Sequence, residues 1–355
     1  MAEKSIVVEG LAKNYGEFWA LNGISFDVEP GEIVGFLGPN GAGKTTTMKI
    51  LTCFMAASKG VARVAGHDVY DDSEKVRKKI GYLPENVPLY DEMMVYDYLK
   101  FIAEIRGVPS GSRRARIRRV VELTGLSDMV TRNIMELSKG YRQRVGLAQA
   151  IIHEPEVIIL DEPTSGLDPN QIIDIRDVIK EIGREKTVVF STHILQEVAA
   201  VCDRIIVVNH GAIIADGTVD ELSARVTNRD SGLIVTAPTG ASTRTALGEL
   251  PGVQAVEELQ VQNGTTRYRL DCRDLERARA AVFGRAETLA VVEVSQHQPS
   301  LEDVFRALTS GVGVVADEKR PAAARSAASY APPAEEPAEE PAEDAAPRAA
   351  EEEEE

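Results

Sequence analysis

The chain has 355 residues and a formal net charge of -16, and 43% of its residues are hydrophobic, enough for two or three domains with buried cores. No run of about 18 apolar residues is present, which excludes a membrane-spanning helix. The three cysteines, Cys53, Cys202 and Cys272, form no C-x-x-C pair, so they read as reduced thiols serving as small buried hydrophobes, not as a disulfide framework.

Met1 to Gly10 lacks the basic start and apolar core of a secretory leader, and a cytoplasmic location is expected. Residues 1 to about 222 alternate short apolar runs with amphipathic stretches, the pattern of an α/β domain with a largely parallel sheet. Ile24, Phe26 and Val28 alternate with polar residues, as in a half-exposed antiparallel strand. Ile33 to Leu37 is a continuous apolar run and reads as a buried strand.

That strand runs into Gly38-Pro39-Asn40-Gly41-Ala42-Gly43-Lys44-Thr45, followed by Thr46 and a helical stretch. The spacing fits the phosphate-loop pattern G-x-x-x-x-G-K-[ST] in the strand-to-helix context that confirms it. Its glycines let backbone N–H groups converge on phosphate oxygens, and the helix N-terminus adds positive potential. Lys44 is expected to reach the β- and γ-phosphates of a nucleotide, and the Thr45 hydroxyl to ligate Mg²⁺.

From about 91 to 136 the pattern becomes helical. Val95, Tyr98, Leu99, Ile102 and Ile105 recur at one helical spacing, and Ile117, Val120 and Val121 mark a second helix. A helical subdomain inserted in the α/β core is expected. Arg113, Arg114, Arg116, Arg118 and Arg119 lie in it as a basic run. No interleaved aromatics support base stacking, so the run reads as a solvated helix face.

Val157 to Leu160 is a second buried strand, ending in Asp161 and Glu162. Asp161 is placed to hold Mg²⁺, and Glu162 to polarise an attacking water. Thr187 to Phe190 is a third such strand, leading to Ser191-Thr192-His193. His67, His153, His210 and His297 show no metal-ligand spacing.

A smaller unit follows from about 231 to 309. Leu233 to Val235 and Leu289 to Val294 read as strands, and Thr243 to Leu250 and Asp274 to Phe283 as helices. A hairpin turns at Asn263-Gly264, which reads as a turn and not as a glycosylation acceptor. The order βαββαβ points to a ferredoxin-like domain. Ser300 caps a final helix. Residues 311–355 hold 13 acidic and 4 basic residues among Ala and Pro, and read as a disordered acidic tail.

Leu137-Ser138-Lys139-Gly140-Tyr141-Arg142-Gln143-Arg144 resembles the signature motif of ABC ATPases, with Lys139 and Tyr141 departing from the usual Leu-Ser-Gly-Gly-Gln. Ser165-Gly166-Leu167-Asp168 resembles their D-loop, His193 their switch histidine, and Tyr15 their adenine-stacking aromatic. The resemblance covers residues 5 to about 222. It implies ATP and Mg²⁺ as ligands, with hydrolysis carried by Lys44, Glu162 and His193. It also implies a head-to-tail dimer with a second nucleotide-binding subunit, expected as another copy of the chain, with a cassette encoded elsewhere as the alternative. Ser138, Gly140 and Asp168 would then meet nucleotide across the dimer interface.

Ile80-Gly81-Tyr82-Leu83-Pro84-Glu85 carries Glu where most such ATPases have a metal-sensing Gln, and the resemblance implies Glu85 as a third residue at the metal beside Thr45 and Asp161. That segment, and Ser300-Leu301-Glu302-Asp303-Val304-Phe305, are similar to ATPases serving ABC-2 type exporters. The implied partner is an ABC-2 type transmembrane permease and no nucleic acid, with the chain itself peripheral on the cytoplasmic face of the cell membrane. The competing reading is a soluble ABC ATPase acting on ribosomes or nucleic acid. Such ribosomal relatives carry two cassettes, and DNA-repair relatives insert a long coiled coil.

Overall fold

The computed structural model describes residues 3–222, 232–262 and 264–297. Strands β1 (Ile6–Tyr15) and β2 (Phe18–Val28) form an antiparallel hairpin, with Ile6 opposite Val28. Ile24, Phe26 and Val28 all point into the core, as their alternation predicts. β3 (Ile33–Leu37) follows and is buried at all five positions, which is why its sequence is apolar without alternation.

Helix α1 (Lys44–Leu51) leads to β4 (Lys59–Val64) and the short β5 (His67–Asp68). These two strands complete an antiparallel sheet of order β2-β1-β4-β5. Helix α2 (Ser73–Lys79) precedes β6 (Ile80–Leu83).

The helical insert consists of α3 (Val95–Ile105), α4 (Ser110–Leu123) and two short 3₁₀ turns at Ser127–Met129 and Ile134–Glu136. Val95, Tyr98 and Leu99 are buried as expected, but Ile105 is 60% exposed. Ala103 takes the inward position of the last turn instead, and α3 ends at Ile105. On α4, Ile117, Val120 and Val121 are buried. Three of its five arginines are held by carboxylates: Arg113 by Glu104 (3.3 Å), Arg116 by Glu154, and Arg119 by both Glu154 and Glu185 (3.2 Å each).

The chain then returns to the central sheet through α5 (Lys139–Ile151), β7 (Val157–Asp161), α6 (Pro169–Gly183), β8 (Thr187–Thr192), α7 (Leu195–Val201), β9 (Arg204–Asn209) and β10 (Ala212–Gly217). The sheet order is β10-β9-β3-β8-β7-β6. All neighbours are parallel except the β10–β9 edge pair. β8 runs two residues past Phe190, because Ser191 and Thr192 stay in register with Asp161 and Leu37. One apolar core lies between this sheet and the helices, and a second between it and the antiparallel sheet.

A separate core gathers residues 232–297. It is built from β11 (Gly232–Pro238), α8 (Ala241–Gly248), β12 (Val253–Gln262), β13 (Thr265–Cys272), α9 (Leu275–Gly284) and β14 (Glu293–His297). The antiparallel order β12-β13-β11-β14 is the ferredoxin-like arrangement that the element order predicts.

Two boundaries here differ from expectation. α8 begins and ends two residues early, after Gly240, whose extended backbone frees the chain to turn. The last strand begins at Glu293, not Leu289. Ala290 has φ +49, so the apolar run enters the core as a turn before pairing starts. Gly264 has φ +80 at the β12–β13 turn, while Asn263 lies outside the described residues, as do the Ser300 helix and the acidic tail. All three cysteines are free and only partly buried, less deeply than the sequence suggests.

Candidate functional site

The parallel sheet fixes where the chemistry sits. β3, β8 and β7 are adjacent, and Leu37 pairs with Thr192 while Ser191 pairs with Asp161. The segments leaving their carboxyl ends therefore emerge side by side: the phosphate loop, the His193 segment and the Asp161-Glu162 pair. This is the edge at which open α/β sheets bind ligands. β6 adds the Glu85 segment beyond β7.

The loop Gly38 to Gly43 is tied down by its backbone. Gly38 N–H donates to Thr192 O (3.3 Å), Ala42 N–H to Pro39 O (3.2 Å), and Gly211 N–H to Ala42 O (3.0 Å). Gly43 has φ +107, and a Cβ there would meet Ala20 O at 2.7 Å, so only glycine fits. Asn40 and Gly41 form the exposed tip, and Thr45 and Thr46 face outward from the start of α1 partly exposed.

Lys44 is 5% exposed, and its Nζ donates to Gly38 O (2.8 Å) and Pro39 O (3.2 Å). It also lies 3.3 Å from Glu162 Oε1. The ammonium thus curls back into the loop, where three oxygens hold it. Glu162 is 6% exposed and adopts φ +47, a left-handed conformation costing a non-glycine residue on the order of 1–3 kcal/mol. Its Oε2 accepts from, or pairs with, His193 Nδ1 at 3.0 Å, and its backbone N–H donates to Ser191 Oγ at 3.1 Å. The strained backbone aims one carboxylate at both Lys44 and a half-exposed imidazole.

Asp161 is 1% exposed and accepts from Ser191 Oγ (2.6 Å) and Thr45 Oγ1 (3.2 Å). Burial raises its pKa, the two hydroxyl donors oppose that, and the charges of Glu162 and Glu85 push it further up. A cation beside Asp161 would offset both the burial and the neighbouring charge. The Asp161–Thr45 oxygen pair fits Mg²⁺, which takes one or two carboxylates from protein and completes its shell with substrate phosphate and water. Among the described residues no three His, Cys, Asp or Glu side chains gather around a metal position. Glu85 is exposed and bears on Asp161 through its charge.

Lys44, Thr45, Asp161, Glu162 and His193 thus come together. Among the described residues their hydrogen-bond set also contains Ser191, which the sequence reading missed; its position just before His193 on a buried strand was the available signal. The set does not include Tyr15, Ser138, Gly140 or Asp168. Tyr15 is 48% exposed, donates to Met55 Sδ (2.9 Å) and carries Lys13 Nζ 5.4 Å from its ring centre. Ser138 and Asp168 each cap a helix. Ser138 Oγ accepts from Tyr141 N–H (3.5 Å) on α5, and Asp168 Oδ1 from Asn170 and Gln171 N–H (3.1 and 3.0 Å) on α6. Gly140 is buried against Gln171, and a Cβ there would lie 2.5 Å from its side chain.

A family model described as ABC transporter matches residues 21–165. The chain is 35% identical over 309 residues to the ABC transporter ATP-binding protein YdbJ of Bacillus subtilis, covering 86% of this chain and 95% of that one. It is 33% identical over 311 residues to the daunorubicin resistance ATP-binding protein DrrA3 of Streptomyces coeruleorubidus, covering 87% and 97%. Among solved structures it is similar to the dimeric post-hydrolysis state of the ATP-binding cassette MJ0796 bound to ADP and Pi. There the TM-score is 0.55 and the identity 25%, over 60% of this chain and 98% of the other.

Proposed function

The chain belongs to the ABC transporter ATP-binding proteins, and from that premise we propose that it powers an ABC-2 type exporter by ATP-driven pairing with a second copy of itself. As a member of the family it is an ATP-binding subunit and an ATPase. The observation that carries the hydrolytic reading is the convergence of Lys44 and His193 on the two oxygens of Glu162.

In this reading the phosphate loop receives the triphosphate on its backbone N–H groups. Lys44 exchanges its carbonyl partners, Gly38 O and Pro39 O, for β- and γ-phosphate oxygens. Released from Lys44, Glu162 accepts a hydrogen bond from the attacking water and draws its proton. His193 holds the other carboxylate oxygen and fixes the direction of the first. Thr45 and Asp161 would hold Mg²⁺, which when bound would neutralise charge building on the phosphate oxygens. Ser138, Gly140 and Asp168 stand apart from this group because they serve the nucleotide of the partner copy. Tyr15 takes the adenine ring.

Two features support an exporter. The likeness to the daunorubicin resistance protein runs through the C-terminal unit as well as the ATPase core. Tyr90 and Phe101, with ring centres 5.7 Å apart, and Met94 and Tyr96 remain exposed in and just before the helical insert; aromatic and Met side chains are enriched at protein interfaces, and these would meet the permease. No helix among the described residues is long and apolar enough to cross a membrane.

Steady-state hydrolysis by purified Lys44→Ala tests the site. Loss of turnover with weakened nucleotide binding is expected, because no other cation within the loop reaches the phosphates. Turnover near the native rate contradicts the assignment.

A further inference from the structure

Glu197 lies on α7, four residues beyond His193, and is 1% exposed. Its Oε2 accepts two hydrogen bonds, from Thr164 Oγ1 (2.7 Å) and from Thr192 Oγ1 (2.7 Å). Both threonines are buried, at 4% and 0% exposure. Its Oε1 is buried and has no hydrogen-bond partner among the described residues. A buried carboxylate held by two neutral hydroxyls, with no cation beside it among the described residues, is costly to bury. Stability therefore gives little reason for it, and its contacts suggest another.

Thr164 stands two residues after Glu162, at the start of the segment leading to Asp168. Thr192 stands directly before His193. The two segments that carry the Glu162–His193 pair leave different strands, β7 and β8, and turn away from the sheet. Besides the Ser191 and His193 bonds already described, Glu197 ties Thr164 of one segment to Thr192 of the other through a single carboxylate oxygen. Thr192 also links the knot to the phosphate loop, since its carbonyl accepts from Gly38 N–H (3.3 Å), while its Oγ1 accepts from Ile194 N–H (3.1 Å). The φ +47 of Glu162 needs such over-determination, because a strained residue persists only where its surroundings hold it.

We propose that Glu197 is a positioning residue for hydrolysis: through Thr164 and Thr192 it locks the spacing between Glu162 and His193 and couples the Thr164–Asp168 segment to the histidine. Movement of that segment on pairing with a second copy is then transmitted to His193 through one carboxylate oxygen. This rests on the hydrolytic reading of Glu162 and His193.

The test is Mg-ATP hydrolysis by the full chain carrying Thr164→Val, Thr164→Ser, Thr192→Val or Thr192→Ser, with Glu162→Gln measured alongside. Valine keeps the shape and loses the hydroxyl; serine keeps the hydroxyl and loses the methyl. Hydroxyl-borne positioning lowers kcat at least fivefold in both Val variants, with KM for ATP within twofold, and leaves both Ser variants within twofold of native kcat. A packing role reverses that order. Native kcat in the Val variants, a loss confined to KM, or Ser variants worse than Val overturns the proposal. If Glu162→Gln stops turnover while the Val variants do not, only the role of Glu197 falls. If Glu162→Gln turns over normally, the hydrolytic reading falls and takes this one with it. Glu197→Ala is the direct variant, and the threonine pairs decide the matter even if it fails to fold.

Discussion

At the scale of single residues, the proposed mechanism makes Glu162 the group on which hydrolysis turns. Gln at this position keeps a partner for His193 and loses both the basicity and the charge facing Lys44. Glu162→Gln is expected to bind ATP and to hydrolyse it on the order of 10²–10⁴-fold more slowly, as measured by phosphate release against nucleotide binding. His153 makes a different prediction. Burial, reinforced by the charge of Arg106, pushes its imidazole from 6.5 down to about 4, while Nε2 bonds Ile80 O (2.9 Å) and Nδ1 is buried without a partner among the described residues. The unfolded chain takes up a proton there that the folded chain refuses. Stability present above pH 6.5 is therefore lost as pH falls toward about 4, by up to roughly 1.4 kcal/mol per pH unit. Urea unfolding of His153→Gln across that range should show a shallower decline than the native chain; an equal decline would assign the acid sensitivity elsewhere. Lys44, Asp161 and Glu162 are legible in the sequence because phosphate chemistry demands a fixed spacing and a strand beneath it. Ser191, Thr164 and Glu197 are not, because a buried hydroxyl or carboxylate is selected by its three-dimensional partners and leaves no periodic trace.

Among the elements, the strand ends decide the site. β3, β7 and β8 could be read directly, since burial on both faces demands uninterrupted apolar runs. Ile105 could not, because helical spacing predicts a stripe but not where the helix leaves its neighbours. The start of β14 was hidden for a related reason: an apolar run fits a core-facing turn as well as a strand, and only the φ of Ala290 separates them. β6 shows how closely strand and helix are set. A Cβ on Gly81 would lie 2.2 Å from Ala150 O, a backbone atom of α5 that cannot swing aside. Gly81→Ala is expected to destabilise the chain by about 1–3 kcal/mol, seen as a lower urea midpoint, and to displace the Glu85 segment that follows. An unchanged midpoint would mean that β6 and α5 separate freely.

For the molecule as a whole, the ATPase core and the βαββαβ unit were both legible from element order, and the sheet orders match it. On the proposed reading the exposed aromatics of the helical insert would couple the core to a permease, and no motif marks them. Affinity purification of the tagged chain from detergent-solubilised membranes, native and Tyr96→Ala, tests the central claim most directly, with partners identified by mass spectrometry. The account predicts a multi-span permease of ABC-2 type with the native chain. It predicts much less of that permease with Tyr96→Ala, which should still bind ATP as the native chain does. Recovery of ribosomal or nucleic-acid complexes, with no integral membrane protein in either preparation, would contradict it.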